Sequence, residues 1–214
     1  IRIERGENRR FFNSMAAVSG QGKVLATYDK SHLVPFGEYL PLYDLLTPLG
    51  VSQITGKGQG YTEGAGLRTL TIPNMPAFSP LICYELIFPG EVTEPGKRPQ
   101  WLMQMTDDSW FGPWTGPYQH LGIAKVRAAE EGLAVIRAAN TGVSAIIDPY
   151  GRIVSSLGLD RTGVLDGELP RPLPRTIYSV FGDIIFALLL AGMTGIAFIF
   201  SRSSSQRRLT ITTV

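Results

Sequence analysis

The chain has a single cysteine, Cys83, and only two histidines, His32 and His120, among 214 residues. One thiol excludes an internal disulfide and a cysteine-rich zinc site, and it leaves the redox compartment open. Charge is scarce as well. Asp, Glu, Lys and Arg make up 18%, below the roughly one quarter usual for soluble domains, so part of the surface is expected to face something other than water. The formal net charge of +2 comes without clusters of Lys and Arg, which argues against a nucleic-acid partner. No internal repeat is visible. The glycine-rich stretch TGKGQGYTEGAG, residues 55–66, lacks the Gly-Lys-Ser/Thr ending of a phosphate-binding loop and reads as a mobile loop. The start, IRIERGENRR, has neither an initiator Met nor an apolar export signal, and reads as a chain whose true N-terminus is missing.

What is present alternates between strand and helix patterns. RRFFNSMAAVSGQGKVLATYDK reads as two strands around a turn at Ser19, Gly20, Gln21 and Gly22. SHLVPFGEYLPLYDLLTPLGV, rich in Pro and Leu, suits a loop with a short helix. Strands are expected at 70–72, 77–82 and 101–105, the last an almost unbroken apolar run of the kind buried on both sheet faces. Residues 120–131 form a helical pattern that stops at Gly132, a glycine C-terminal signal. LAVIRAANTGVSAIIDPYGRIVSSL then gives three strands, with turns at 140–142 and 148–151. This order predicts a layered α/β domain over 1–169.

The character changes after Leu169. PRPLPRT, residues 170–176, reads as a stiff linker. The segment 177–200, IYSVFGDIIFALLLAGMTGIAFIF, carries one charge, Asp183. As one helix at about 1.5 Å per residue it would reach about 36 Å, enough for a hydrocarbon core of about 30 Å. Asp183 is tolerable near its N-terminal, positive end. The sequence thus predicts a transmembrane helix over 177–200 and a polar basic tail over 201–214. Arg202, Arg207 and Arg208 follow the span while Arg171 and Arg175 precede it, which leans toward a cytoplasmic tail.

Cys83 stands where the apolar run AFSPLI meets CYE. A lone cysteine there is commonly a small buried hydrophobe. At the C-terminal end of a strand, however, it also occupies the place where open α/β sheets hold ligands. A free thiol with pKa near 8.5 is only about 3% thiolate at neutral pH, so a nucleophilic role needs a nearby cation, helix-end amides or a base. Lys30, at the end of a predicted strand in YDKSHLVPFGEYLP, is the candidate cation, against the plainer reading of a solvated charge.

Those two stretches, YDKSHLVPFGEYLP and LICYELIFP, resemble the lysine and cysteine motifs of the nitrilase (carbon–nitrogen hydrolase) superfamily. KSHLVPFGEYLP, CYE, DDSWFGPWTGPYQHL and RAANTGVSAIIDPYGRI, followed by an apolar C-terminal segment, more closely resemble its apolipoprotein N-acyltransferase branch. The resemblance implies a nitrilase-like α-β-β-α sandwich, here incomplete at its N-terminus, and a Glu-Lys-Cys catalytic set. It makes Cys83 the nucleophile and Lys30 the catalytic lysine. Glu38 would orient the lysine, Tyr84 would offer a backbone N–H to an oxyanion, and Glu85 would be the acidic residue beside the nucleophile. The family's general-base glutamate and N-terminal membrane helices would lie upstream, since Glu4 and Glu7 are too close to Lys30 to be that base. The implied reaction moves a fatty acyl chain from a phospholipid, through a Cys83 thioester, to the N-terminal amine of a diacylglyceryl-cysteine lipoprotein. It uses no cofactor or metal and takes place at a bacterial inner membrane with the catalytic domain in the periplasm. Two alternatives stay open: a membrane-tethered amidase in which water resolves the thioester, and a non-catalytic membrane-anchored binding domain.

The remaining candidates have plainer readings beside the functional ones. His32 and His120 could serve a Cys–His enzyme but suit structural hydrogen bonding. Asp107 and Asp108 suggest a turn and helix cap rather than a metal corner. Trp110, Phe111 and Trp114 are core or pocket wall, with Trp110 and Phe111 the candidates for substrate contact. Lys125, Arg127, Glu130 and Glu131 read as a solvated helix face. YLPLYDLLTPLGV and the loop 56–66 are candidates for a lipid-facing lip, against ordinary core packing for the first.

Overall fold

The computed structural model describes residues 1–5, 9–51 and 60–210, with 199–210 as backbone alone. Glu7 and the 56–59 part of the glycine-rich loop lie outside the described residues. The chain divides into two units, Ile1–Thr176 and Ile177–Val214.

In the first unit, β1 (Arg2–Glu4) pairs antiparallel with β2 (Arg10–Phe12). The expected hairpin follows: β3 (Ser14–Val18) pairs with β4 (Val24–Asp29). Its turn closes through the Gly22 N–H donating to the Ser19 carbonyl, with Gly22 at φ 79°, a conformation glycine adopts without steric cost. The main sheet has five strands in sequence order: β5 (Phe78–Ile82), β6 (Trp101–Asp107), β7 (Ala134–Asn140), β8 (Ser144–Ile147) and β9 (Ile153–Leu157). The first three run parallel and the last two add antiparallel. The strand expected at 70–72 shrinks to one bridge, Leu70 to Phe78. Pro73 and Pro76 lack N–H groups and Asn74 turns at φ 60°, so the ladder has no donors with which to continue.

Alternation along the parallel strands builds the layers. Phe78, Ile82, Trp101 and Ala134 face one way and pack with Tyr28, Met15 and Ala26 of the β3–β4 hairpin. Leu81, Leu102 and Val135 face the other way, against Leu121, Ala124 and Ala128 of helix α2 (Gly116–Glu131). These contacts supply an α layer, a sheet and a second β layer. Helix α2 starts four residues earlier than expected, with Pro117 in its first turn, and ends at Gly132 in the left-handed conformation, φ 63°. Both are the favoured terminal residues.

Its charged face departs from expectation. Arg127 and Glu131 are buried rather than solvated, and the 171–176 segment lies along the helix end beside Glu131. The Leu173 N–H donates to the Gly132 carbonyl at 2.9 Å, and Arg98 donates to the Glu131 carbonyl at 2.8 Å and the Leu173 carbonyl at 3.0 Å. Burial, and then the Glu130 charge, push the Glu131 carboxyl above its ordinary range, with Arg98 and Arg127 opposing.

The 39–51 segment carries the short helix α1 (Tyr43–Leu46), and ordinary core packing fails for most of it. Leu40 is buried, but Leu42, Leu45 and Leu49 are exposed. In the second unit, the expected single helix over 177–200 is two: α3 (Ile177–Phe181) and α4 (Ile184–Thr210). Gly182 turns at φ 53°, and the Asp183 carbonyl accepts the first α4 hydrogen bond, from Ala187 at 2.9 Å. A left-handed glycine stops one helix and an acidic residue opens the next. Among the described residues, no helix is long and apolar enough to cross a membrane.

Candidate active site

Strand β5 is buried along its whole length, and the chain then turns directly into the 3₁₀ helix Cys83–Ile87. Cys83 is the first residue of that turn and stands at φ 51°. A side chain in this left-handed region costs roughly 1–2 kcal/mol, so the surroundings hold the thiol at a sharp elbow. The strain is testable: Cys83→Gly should be more stable than Cys83→Ala by about 1 kcal/mol in denaturant melts. Equal midpoints would mean that the elbow is unstrained.

One residue fixes the elbow to the lysine loop. Glu85 is fully buried, and its carboxylate accepts five hydrogen bonds. Oε1 takes the Tyr28 hydroxyl at 2.6 Å, the Ser31 N–H at 2.7 Å, the Ser31 hydroxyl at 2.9 Å and the His32 N–H at 3.2 Å. Oε2 takes the Ile82 N–H at 2.8 Å. Burial, followed by the Glu85 charge, drives the Tyr28 phenol well above its ordinary range, so it remains a donor.

Lys30, at the end of β4, is 1% exposed and donates to Glu38 Oε2 at 2.7 Å. Glu38 also accepts the Asn13 amide at 2.7 Å and the Val34 N–H at 2.8 Å. These bonds saturate its carboxylate as a partner for the ammonium. Lys30, Glu38, Cys83 and Tyr84 line one cavity of about 1060 Å³, whose walls include Ile82, Ile87, Met105, Trp110, Phe111 and Ile123. Four of the five residues expected from the two motifs therefore share one space at the C-terminal end of the parallel strands, while Glu85 lies outside its lining. Trp114, by contrast, is 78% exposed rather than core.

The histidines separate. His32 faces outward, stacked on Phe88 at 4.5 Å between centroids and 3.1 Å from Glu91. His120 enters a buried polar ring beneath Cys83. Gln104 and Arg137 are register partners on β6 and β7, and both face α2. Arg137 donates to Gln104 Oε1 and to Asp108 Oδ2. Asp108 Oδ1 lies 2.9 Å from His120 Nδ1, and His120 Nε2 lies 3.0 Å from Gln104 Nε2. Gln104 Nε2 also donates to the Cys83 carbonyl at 3.3 Å.

The cap expected of the paired aspartates is made by Asp107 alone, which accepts the Ser109 N–H at 3.0 Å. Asp108 is instead fully buried. Burial alone would raise its carboxyl, but the His120 hydrogen bond and the Arg137 charge outweigh that and hold it below its ordinary value. Gly142 permits the approach, because a Cβ there would overlap the Asp108 carboxylate. The signal in the sequence was a polar residue at the centre of each of two largely apolar strands, Gln104 in WLMQMTD and Arg137 in AVIRAAN. Only the pairing shows that the two meet.

A model of the carbon–nitrogen hydrolase family matches residues 2–177. The chain belongs to the carbon–nitrogen hydrolase family. It is 52% identical over 182 residues to a protein of Bradyrhizobium diazoefficiens named apolipoprotein N-acyltransferase, covering 85% of this chain and 34% of that one. Proteins of the same name from Rhodopseudomonas palustris and Brucella melitensis are 50% identical over 182 residues and 45% identical over 175 residues. They cover 85% and 80% of this chain but only 34% and 33% of those proteins. The chain thus spans about a third of the length of the curated relatives it matches. Among solved structures, a nitrilase-superfamily amidase of Nesterenkonia is similar at 20% identity and a TM-score of 0.46, over 69% of this chain and 51% of that one. Membership of the carbon–nitrogen hydrolase family accords with the α and paired β layers of the first unit.

Proposed function

We propose that this chain is the catalytic portion of an apolipoprotein N-acyltransferase, moving a fatty acyl chain from a membrane phospholipid to the N-terminal amine of a diacylglyceryl-cysteine lipoprotein. The observation that carries the reading is the largely apolar cavity of about 1060 Å³ that holds Cys83, Lys30 and Glu38 together. A volume of that size suits an acyl chain better than a small amide. Curated relatives at 45–52% identity with the acyltransferase name support it.

In this mechanism the Cys83 thiolate attacks the phospholipid ester carbonyl. The Lys30 ammonium and the Tyr84 N–H stabilise the resulting oxyanion. The carbon–oxygen bond breaks, the lysophospholipid alkoxide takes a proton, and a thioester remains on Cys83. The lipoprotein amine then attacks that thioester and gives up a proton, the carbon–sulfur bond breaks, and an amide and the free thiolate result. Glu38 holds Lys30 and so does not serve as the proton acceptor. Asp107, the other carboxylate lining the cavity, caps Ser109. The reading therefore calls for a carboxylate from beyond the described residues.

Both substrates carry acyl chains, which favours a site at an inner membrane, with the catalytic domain in the periplasm and the basic tail in the cytoplasm. The apolar second unit supports this placement, since Ile184, Phe186, Leu188 and Leu189 are all more than 60% exposed. Such a surface needs apolar surroundings. The test is mass spectrometry of Cys83 after the full-length protein meets vesicles of defined phospholipid. A fatty-acyl adduct on Cys83, absent in Cys83→Ala, is the expected result. Acylation by small amides alone would favour an amidase, and no adduct from either donor would leave a binding domain.

A further inference from the structure

We infer that Gln104 is a positioning residue for the nucleophile: the buried ring of Arg137, Asp108 and His120 fixes its amide so that Nε2 grips the Cys83 carbonyl and holds the elbow in its reactive conformation. The inference rests on the reading of Cys83 as nucleophile. Its chemistry begins with the elbow itself. A non-glycine residue in the left-handed region persists only where its neighbours over-determine it. Glu85 grips the residue before, through the Ile82 N–H at 2.8 Å, and Gln104 grips Cys83 itself, through its carbonyl at 3.3 Å.

An amide could present either end to that carbonyl, and the wrong end would repel it. The ring removes the choice. Gln104 Oε1 accepts from the Arg137 guanidinium, which has only donors to offer. Nε2 must then point toward Cys83 and His120. Facing an NH₂ group, His120 Nε2 must accept, so the ring proton sits on Nδ1 and donates to Asp108 Oδ1 at 2.9 Å. Asp108 Oδ2 accepts from Arg137 and closes the circuit. In this arrangement the Arg137–Gln104, Gln104–His120, His120–Asp108 and Arg137–Asp108 bonds each run from a donor to an acceptor. All four side chains are at least 96% buried, with exposures of 0% for Gln104, 4% for His120, 0% for Asp108 and 2% for Arg137. A buried ion pair gains little stability over apolar packing of the same volume. Its place here, joined through Gln104 to the nucleophile's own backbone, is explained by orientation.

The experiment compares Gln104→Glu with Gln104→Met in the full-length protein, reading alkylation of Cys83 by iodoacetamide at fixed pH, kcat and KM for acyl transfer, and the melting temperature. Glutamate keeps the acceptor for Arg137 but offers the Cys83 carbonyl no donor. It is expected to slow alkylation and lower kcat by about 10-fold or more with KM little changed, while the protein melts well above the assay temperature. His120→Gln, which retains one acceptor and one donor, should keep more activity than His120→Leu at matched folded fraction. The inference is overturned if folded Gln104→Glu and Gln104→Met alkylate at the parental rate, or if every loss scales with the unfolded fraction. Iodoacetamide reads Cys83 directly. A parent that alkylates readily but takes no acyl chain would overturn the acyltransferase reading and leave this one standing.

Discussion

Lys30→Met is expected to reduce acyl transfer by about 10³-fold, in the range seen when one preorganised oxyanion donor is removed. The magnitude follows from where the ammonium sits. At 1% exposure it is shielded from water and salt, so its field acts on the cavity at an effective dielectric well below that of bulk solvent. Both the thiolate and the tetrahedral oxyanion are negative, and Lys30 is the cation lining that cavity among the described residues. The substitution carries a confounding cost, since Glu38 would be left as a buried carboxylate without its ammonium, a loss of about 3–5 kcal/mol. Pairing it with Glu38→Gln removes the stranded charge. The double variant should recover much of the melting temperature of the parent and none of its activity. Recovery of acyl transfer along with stability would mean that Lys30 serves the fold and not the reaction. Lys30→Arg is not expected to rescue, because the planar guanidinium needs a wider, flatter site than a buried ammonium does.

The sequence carried the pieces of this site unevenly. Cys83 and Lys30 stood out as candidates at predicted strand ends, and Glu38 only through the resemblance of YDKSHLVPFGEYLP to the family's lysine motif; the structure sets all three around one cavity. The β3–β4 hairpin and the Gly132 stop of α2 were readable because nearby residues dictate their local form. Gln104 and Arg137 were not. Each is a polar residue at the centre of a largely apolar strand, and its meaning depends on a parallel register set by the whole sheet. Asp108 looked like half of an acidic turn, yet its side chain goes inward because Gly142 leaves room and Arg137 waits there. Composition also misjudged the helix faces. Arg127 and Glu131 are buried, the helix end beside Glu131 being covered by a segment some 40 residues away in sequence, and hydrophobicity alone did not reveal the break at Gly182.

Glu85→Gln is expected to leave a folded protein with acyl transfer lowered by about 10²-fold, whereas Glu85→Ala is expected not to fold at the assay temperature. The difference lies in how many donors lose their acceptor. Alanine strands the Ser31, His32 and Ile82 N–H groups and the Tyr28 and Ser31 hydroxyls. At about 1–3 kcal/mol for each buried group left unsatisfied, even partial rearrangement consumes a large share of a domain's stability of about 5–15 kcal/mol. Glutamine keeps one carbonyl oxygen, which best serves the four donors now on Oε1. Its NH₂ group must then face the Ile82 N–H, donor against donor. The lysine loop stays tethered while the grip immediately before Cys83 is lost, so the elbow relaxes by a few tenths of an ångström to an ångström. Misplacement on that scale costs about 10²-fold when reacting atoms must meet in line. The measurement is kcat against melting temperature for both variants in the full-length protein. A Glu85→Gln variant with parental kcat would show that the lysine loop, not the Ile82 bond, is what the carboxylate holds in place for the reaction.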